Sequence, residues 1–132
     1  MAWIDEVSEV FAKYKIPQYV WKPIMMMESK GNPLAELKND IETSRGLYQI
    51  NIVANPQYAG LDLFNPVVNA EIAAKYFIEP AYKKAQKAQL ETPLDITEYV
   101  WRYGIRPYWT AEKSQAVRAE TEKLLLENSA II

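Results

Sequence analysis

Met25-Met26-Met27-Glu28-Ser29-Lys30-Gly31-Asn32-Pro33 joins an apolar helix end to an acid, and then to residues that stop the helix. Gly31 suits the left-handed position after a last turn, and Asn32-Pro33 forbids continuation. The spacing predicts a helix over 20–30, with Pro23 tolerated in its first turn. Glu28 then lies on the final turn, behind three methionines. Apolar surroundings and the negative end of the helix dipole both disfavour its charged form. A carboxyl kept protonated near neutrality is able to protonate a leaving-group oxygen. On spacing alone, the competing reading is a solvated glutamate whose methionines are simply core.

Outward from this stretch the apolar period is helical. Trp3, Ile4, Val7, Val10, Phe11 and Tyr14 form one stripe over 2–15, which Pro17 ends. Asn65-Pro66 is an N-cap with proline at the first helical position. Val68, Ile72 and Tyr76 follow every four residues, and Pro80 kinks or divides that helix. Thr92-Pro93 starts a helix near 94–103, and Thr110 caps a last one over 111–127. Between Leu34 and Asn65 no period lasts, which predicts a loop with one short element near 46–54, helix or small hairpin. The expectation is one mainly α domain over 1–132, with five to seven helices and no internal repeat or linker.

Composition narrows the chemistry. The 132 residues include no cysteine and no histidine, so thiol nucleophiles, disulfides, imidazole bases and thiolate or imidazole metal sites are excluded. A net charge of −2 offers no footprint for a nucleic-acid backbone. The amino terminus is acidic where a signal peptide would be basic, and no apolar run is long enough to insert into a membrane. Asp40, Glu42 and Ser44 alternate like the start of a calcium loop, but Arg45 and Asn51 occupy positions that such a loop reserves for glycine and glutamate. No metal or cofactor is called for. Lys83, Lys84 and Lys87 read as a solvated helix face.

Three further strings gather around Glu28. Glu28-Ser29, with Gly31-Asn32-Pro33-Leu34-Ala35, leads to Ser44-Arg45-Gly46-Leu47-Tyr48-Gln49, and then to Asn65-Pro66-Val67-Val68-Asn69. In order and type these resemble the goose-type lysozyme and lytic transglycosylase superfamily, family 23 of the glycoside hydrolases. Its members carry Glu-Ser with a Gly-Asn-Pro-x-Ala turn, Ser-x-Gly-Leu-Met-Gln, and an Asp-Pro-x-x-Asn helix start. The resemblance implies a lysozyme-like fold and the following roles. Glu28 is the catalytic acid, and Ser44, Tyr48, Gln49 and Asn69 are substrate-binding groups. Gly46 reads as structural, a tight turn needing positive φ or close backbone approach. The family's Ala-Tyr-Asn-x-Gly string is matched imperfectly by Val100-Trp101-Arg102-Tyr103-Gly104. Trp101 aligns with the family tyrosine. A helical-face argument from Ile96 and Val100 instead turns Tyr99 and Tyr103 toward the core side, favouring Tyr103 as the aromatic beside Glu28.

The implied substrate is the peptidoglycan glycan strand, cut between N-acetylmuramic acid and N-acetylglucosamine. In a transglycosylase one glutamate suffices, because the sugar's own C6 hydroxyl is the nucleophile and a 1,6-anhydro product forms. A hydrolytic muramidase of the same fold needs a second carboxylate to activate water. Asp40 is the first candidate for it and Glu42 the second. A third reading is a catalytically silent wall-binding or virion structural domain, against which intact Glu28, Ser44 and Gln49 argue. Size and the missing signal and disulfides suit a phage lysin or a tail-associated domain of a larger polypeptide, acting on the bacterial wall from outside the cytoplasm.

Overall fold

A computed structural model describes residues 2–105 and 109–130. Helix α1 (Ile4–Lys13) buries Val7, Val10 and Phe11 from the predicted stripe. Helix α2 (Gln18–Ser29) starts directly after Pro17, two residues earlier than expected, so Pro23 falls in the second turn and not the first. Proline has no N–H to give to the carbonyl four residues back, which is that of Tyr19. The Thr97 hydroxyl donates to that carbonyl at 2.7 Å. A defect in one helix thereby becomes the attachment point of another.

The stretch expected to hold one short element carries a small antiparallel sheet instead. Its strands are β1 (Glu36–Lys38), β2 (Thr43–Arg45) and β3 (Ile50–Asn51), in the order β1-β2-β3. Leu37 pairs with Ser44, and Ser44 with Asn51. The hairpin begins ten residues before the predicted element because β1 is exposed throughout and shows no alternation to read. Its turn is set by Asn39, whose Oδ1 accepts from the N–H groups of Ile41 and Glu42, each at 2.9 Å.

The Asn65 cap is present, its side chain accepting from Val67 and Val68 N–H. Helix α3 (Pro66–Ile72) then runs through a π-helical segment (Ala73–Ile78) into α4 (Glu79–Lys87). Pro80 therefore divides the helix by widening the turn before it, without breaking the rod. Tyr76, third in the four-residue series, is carried out to 51% exposure. Thr92 caps α5 (Pro93–Val100), which ends in a second π-helical segment (Trp101–Ile105). Helix α6 (Ala111–Ala130) packs across α2 and α5. The core centres on Phe11, Trp21 and Tyr48, with Phe11 stacked on Trp21 at 5.2 Å. No helix among the described residues is long and apolar enough to cross a membrane.

The fold is mainly helical with one small sheet, as a lysozyme-like fold requires.

Candidate active site

Glu28 is the penultimate residue of α2, just before Lys30 and Gly31 take left-handed conformations and turn the chain away. The Trp101 indole N–H donates to Glu28 Oε2 at 3.3 Å. Trp101 is 1% exposed, whereas Tyr103 is 60% exposed. The expectation that Tyr103 flanks Glu28 is corrected: the aligned Trp101 does. The helical-face argument counted Ile96 and Val100 as the whole buried face. Thr97 is also fully buried, through its bond to Tyr19, and widens that face toward residue 101. From Trp101 onward the π-helical turn also breaks the α-helical register on which the argument relied.

The π-helical segment that carries Trp101 forms one wall of a cleft of about 470 Å³. The sheet side supplies Ile41, Glu42, Gln49 and Asn51. The π-helical segments supply Phe77, Tyr103, Gly104 and Ile105. Glu28 is not among the lining residues; Trp101 joins it to the segment that forms this wall. Gly104 is needed there, since a Cβ would come within 2.7 Å of the Phe77 carbonyl oxygen. The two π-helical segments meet at this point.

The loop after β2 is organised by Asn69. Its Nδ2 donates to the carbonyls of Arg45 and Leu63 at 2.8 and 2.9 Å, and its Oδ1 accepts from Tyr48 N–H at 2.9 Å. Asn69 is fully buried, so neither an exposed first-turn residue nor a group free to meet a sugar describes it. Gly46, at φ +78°, lies against it, and any Cβ there would overlap the Asn69 amide and the Leu63 carbonyl. Gln49 follows at φ +51°, a conformation uncommon for a residue with a side chain. Its Nε2 donates to the carbonyls of Ala35 and Gly46 at 3.1 and 3.0 Å, and the residue borders the cleft.

Tyr48 also borders the cleft, but its hydroxyl donates to the Trp21 carbonyl at 2.7 Å and burial pushes its pKa well up. Its phenol belongs to the core, not to a sugar site. Ser44 is fully buried, and its hydroxyl donates to Glu42 Oε2 at 2.7 Å. Asp40 lies exposed in the β1–β2 turn, whereas Glu42 lines the cleft. The i, i+2 spacing of Glu42, immediately before β2, and Ser44, within it, is the sequence signal for their contact.

The profile of the lysozyme-like domain family matches residues 17–83, half of the chain and all of the segment from Glu28 to Asn69. The chain belongs to that family. No curated protein and no solved structure matches it. As a lysozyme-like domain it is a peptidoglycan-degrading enzyme acting on the bacterial cell wall. The lysozyme-like match ends before α5, so Trp101, Tyr103 and the cleft wall they belong to lie outside it.

Proposed function

We propose that this domain is a lytic transglycosylase with Glu28 as its single acid–base group. The observation that carries the reading is the Trp101–Glu28 contact, a donor-only indole holding one carboxyl oxygen at the helix end. Glu28 protonates the glycosidic oxygen between N-acetylmuramic acid and N-acetylglucosamine as that bond breaks. The muramic N-acetyl oxygen stabilises the cation developing at C1. The ionised Glu28 next takes the C6 hydroxyl proton while that oxygen bonds to C1. Atoms balance without water, and Glu28 ends the cycle protonated. Gln49 and the cleft wall at Phe77 and Tyr103 hold the strand; Asn69, Gly46 and Ser44 hold the loop that presents Gln49.

A second reading is favoured by the position of Glu42 in the cleft: a muramidase in which that carboxylate activates water. Under the first reading Glu42 is a structural acceptor for Ser44. Mass spectrometry of muropeptides released from purified sacculi separates the two. Anhydro products, one water lighter than hydrolytic ones, are expected, and reducing-end products would overturn the transglycosylase reading.

A further inference from the structure

Outside the matched stretch, three aromatic rings and a guanidinium collect at the mouth of the cleft. Tyr99 and Tyr103 have ring centroids 4.6 Å apart. The Arg102 guanidinium carbon lies 5.1 Å from the Tyr103 ring centroid and 4.3 Å from that of Trp109. Tyr103 is 60% and Trp109 42% exposed, an unusual cost in apolar surface for rings that complete no core. Tyr103 is at once part of this cluster and part of the cleft wall, so the two surfaces are continuous. Trp109 is tied down by its own N–H, which donates to the Ser114 hydroxyl in the first turn of α6.

We propose that Tyr103, Arg102 and Trp109 form a stacking platform for a pyranose ring of the glycan strand beyond the cleft, a proposal that rests on the reading of the cleft as a glycan site. The faces of Tyr and Trp rings present electron-rich, apolar area that matches the C–H faces of a β-linked sugar. Arg102, held between two rings, fixes them in one arrangement before binding and lowers the ordering cost. A guanidinium carries N–H donors of the kind that acetamido and hydroxyl oxygens accept. Apart from Tyr48, Phe77 and Tyr103, the apolar lining of the cleft is aliphatic, through Ile41, Ile50, Val53 and Ile105, and the exposed ring faces gather at this rim. The platform therefore adds affinity only for strands long enough to reach it.

The test uses the whole chain carrying Glu28→Gln, so that nothing turns over, with N-acetylglucosamine trimers and hexamers as probes in calorimetric titrations. The hexamer is expected to bind at least tenfold more tightly than the trimer. Trp109→Ala and Tyr103→Ala should each abolish most of that gain. Trp109→Phe, which keeps a ring but loses the bond to Ser114, should retain it, as should Leu126→Ala on the exposed side of α6. Far-UV circular dichroism checks that each variant folds. Hexamer affinity unchanged in both alanine variants, or equal affinities for trimer and hexamer in the parent, would overturn the platform. So would a Trp109→Phe loss as large as that of Trp109→Ala, since the effect would then come from the Ser114 bond. Because catalysis is not read, hydrolytic or absent cleavage by the unsubstituted chain would defeat the transglycosylase reading and leave the platform intact.

Discussion

Trp101 reaches Glu28 across 73 positions of sequence, with its indole N–H on Oε2 at 3.3 Å. An indole donates and never accepts, so this partner orients the carboxyl without competing for its proton. Trp101→Phe keeps the ring and removes the donor. A hydrogen bond to an ionisable group contributes about 1.5–3 kcal/mol, so kcat for muropeptide release should fall roughly tenfold or more. Tyr103→Phe, altering one exposed hydroxyl, should cost about twofold or less in kcat. Initial rates on purified sacculi decide between them, and a larger loss in Tyr103→Phe would dismiss the orienting role of Trp101.

Glu28→Gln preserves shape and hydrogen-bond reach but has no proton to give. Turbidity clearance should drop by ~100-fold or more, the lower range for acid–base catalysis. The same protein should keep its folded circular dichroism spectrum. Near-normal lysis would remove Glu28 from the chemistry.

The carboxylates of the β1–β2 hairpin give a separate outcome. Asp40→Asn is expected to leave activity intact, since the residue is exposed in the turn. Glu42→Gln keeps an acceptor for Ser44 and should retain most activity under the transglycosylase reading. An activity loss in Glu42→Gln equal to that in Glu28→Gln, with a stable fold, would transfer the assignment to a water-activating muramidase.

Asn69→Ala removes three hydrogen bonds at a fully buried position and strands the Tyr48 N–H and two carbonyls. The loss should be about 3 kcal/mol of unfolding free energy, measured as a lower urea midpoint. Activity should fall with stability because the Gln49 loop is anchored there. Unchanged stability would show that the loop holds itself.

The pH limits of stability are set partly at the joint between α1 and α3. Burial pulls the Glu71 pKa up, but hydrogen bonds from Lys13 and Tyr14, at 2.7 and 2.6 Å, outweigh it and leave it below the ordinary 4.5. A lowered carboxylate pKa stabilises the fold above the ordinary value, and that contribution fades as pH falls through the lowered one. The Tyr14 phenol moves the other way, pushed up to about 12 chiefly by its bond to Glu71. Its contribution is complete below pH 10 and is lost as pH rises toward about 12. Glu71→Gln should flatten both limbs of a plot of melting temperature against pH. The acid limb should not vanish, because Arg118 also lowers the Asp95 pKa through a hydrogen bond. A change in neither limb would refute the coupling.

Much of the scaffold is legible in local chemistry. Asn65-Pro66 and Thr92-Pro93 mark helix starts through caps that form as read, and the Gly31-Asn32-Pro33 run ends α2 beside Glu28. What is hidden depends on tertiary partners. The exposed strand β1 has no apolar face to alternate. Thr97 reads as polar until the Tyr19 carbonyl is seen beneath it, and without that bond Trp101 turns outward on a helical wheel. Asp40 reads ahead of Glu42 until the Asn39 turn leaves Asp40 exposed and Glu42 on the cleft. The two π-helical segments leave no mark in periodicity except the misplacement of Tyr76 and Tyr103.

Pro23 gives the α2–α5 junction an address. A helix with all its hydrogen bonds internal would let α5 slide along it by a turn at little cost beyond repacking. The Tyr19 carbonyl, left without its helical donor, accepts Thr97 alone in one alignment, and a shifted α5 would leave that part-buried acceptor unmatched at about 1–3 kcal/mol. Trp101 sits one turn beyond Thr97, so the longitudinal position of the partner of Glu28 is indexed by the N–H that Pro23 lacks, five residues and about 7.5 Å of helix rise before Glu28.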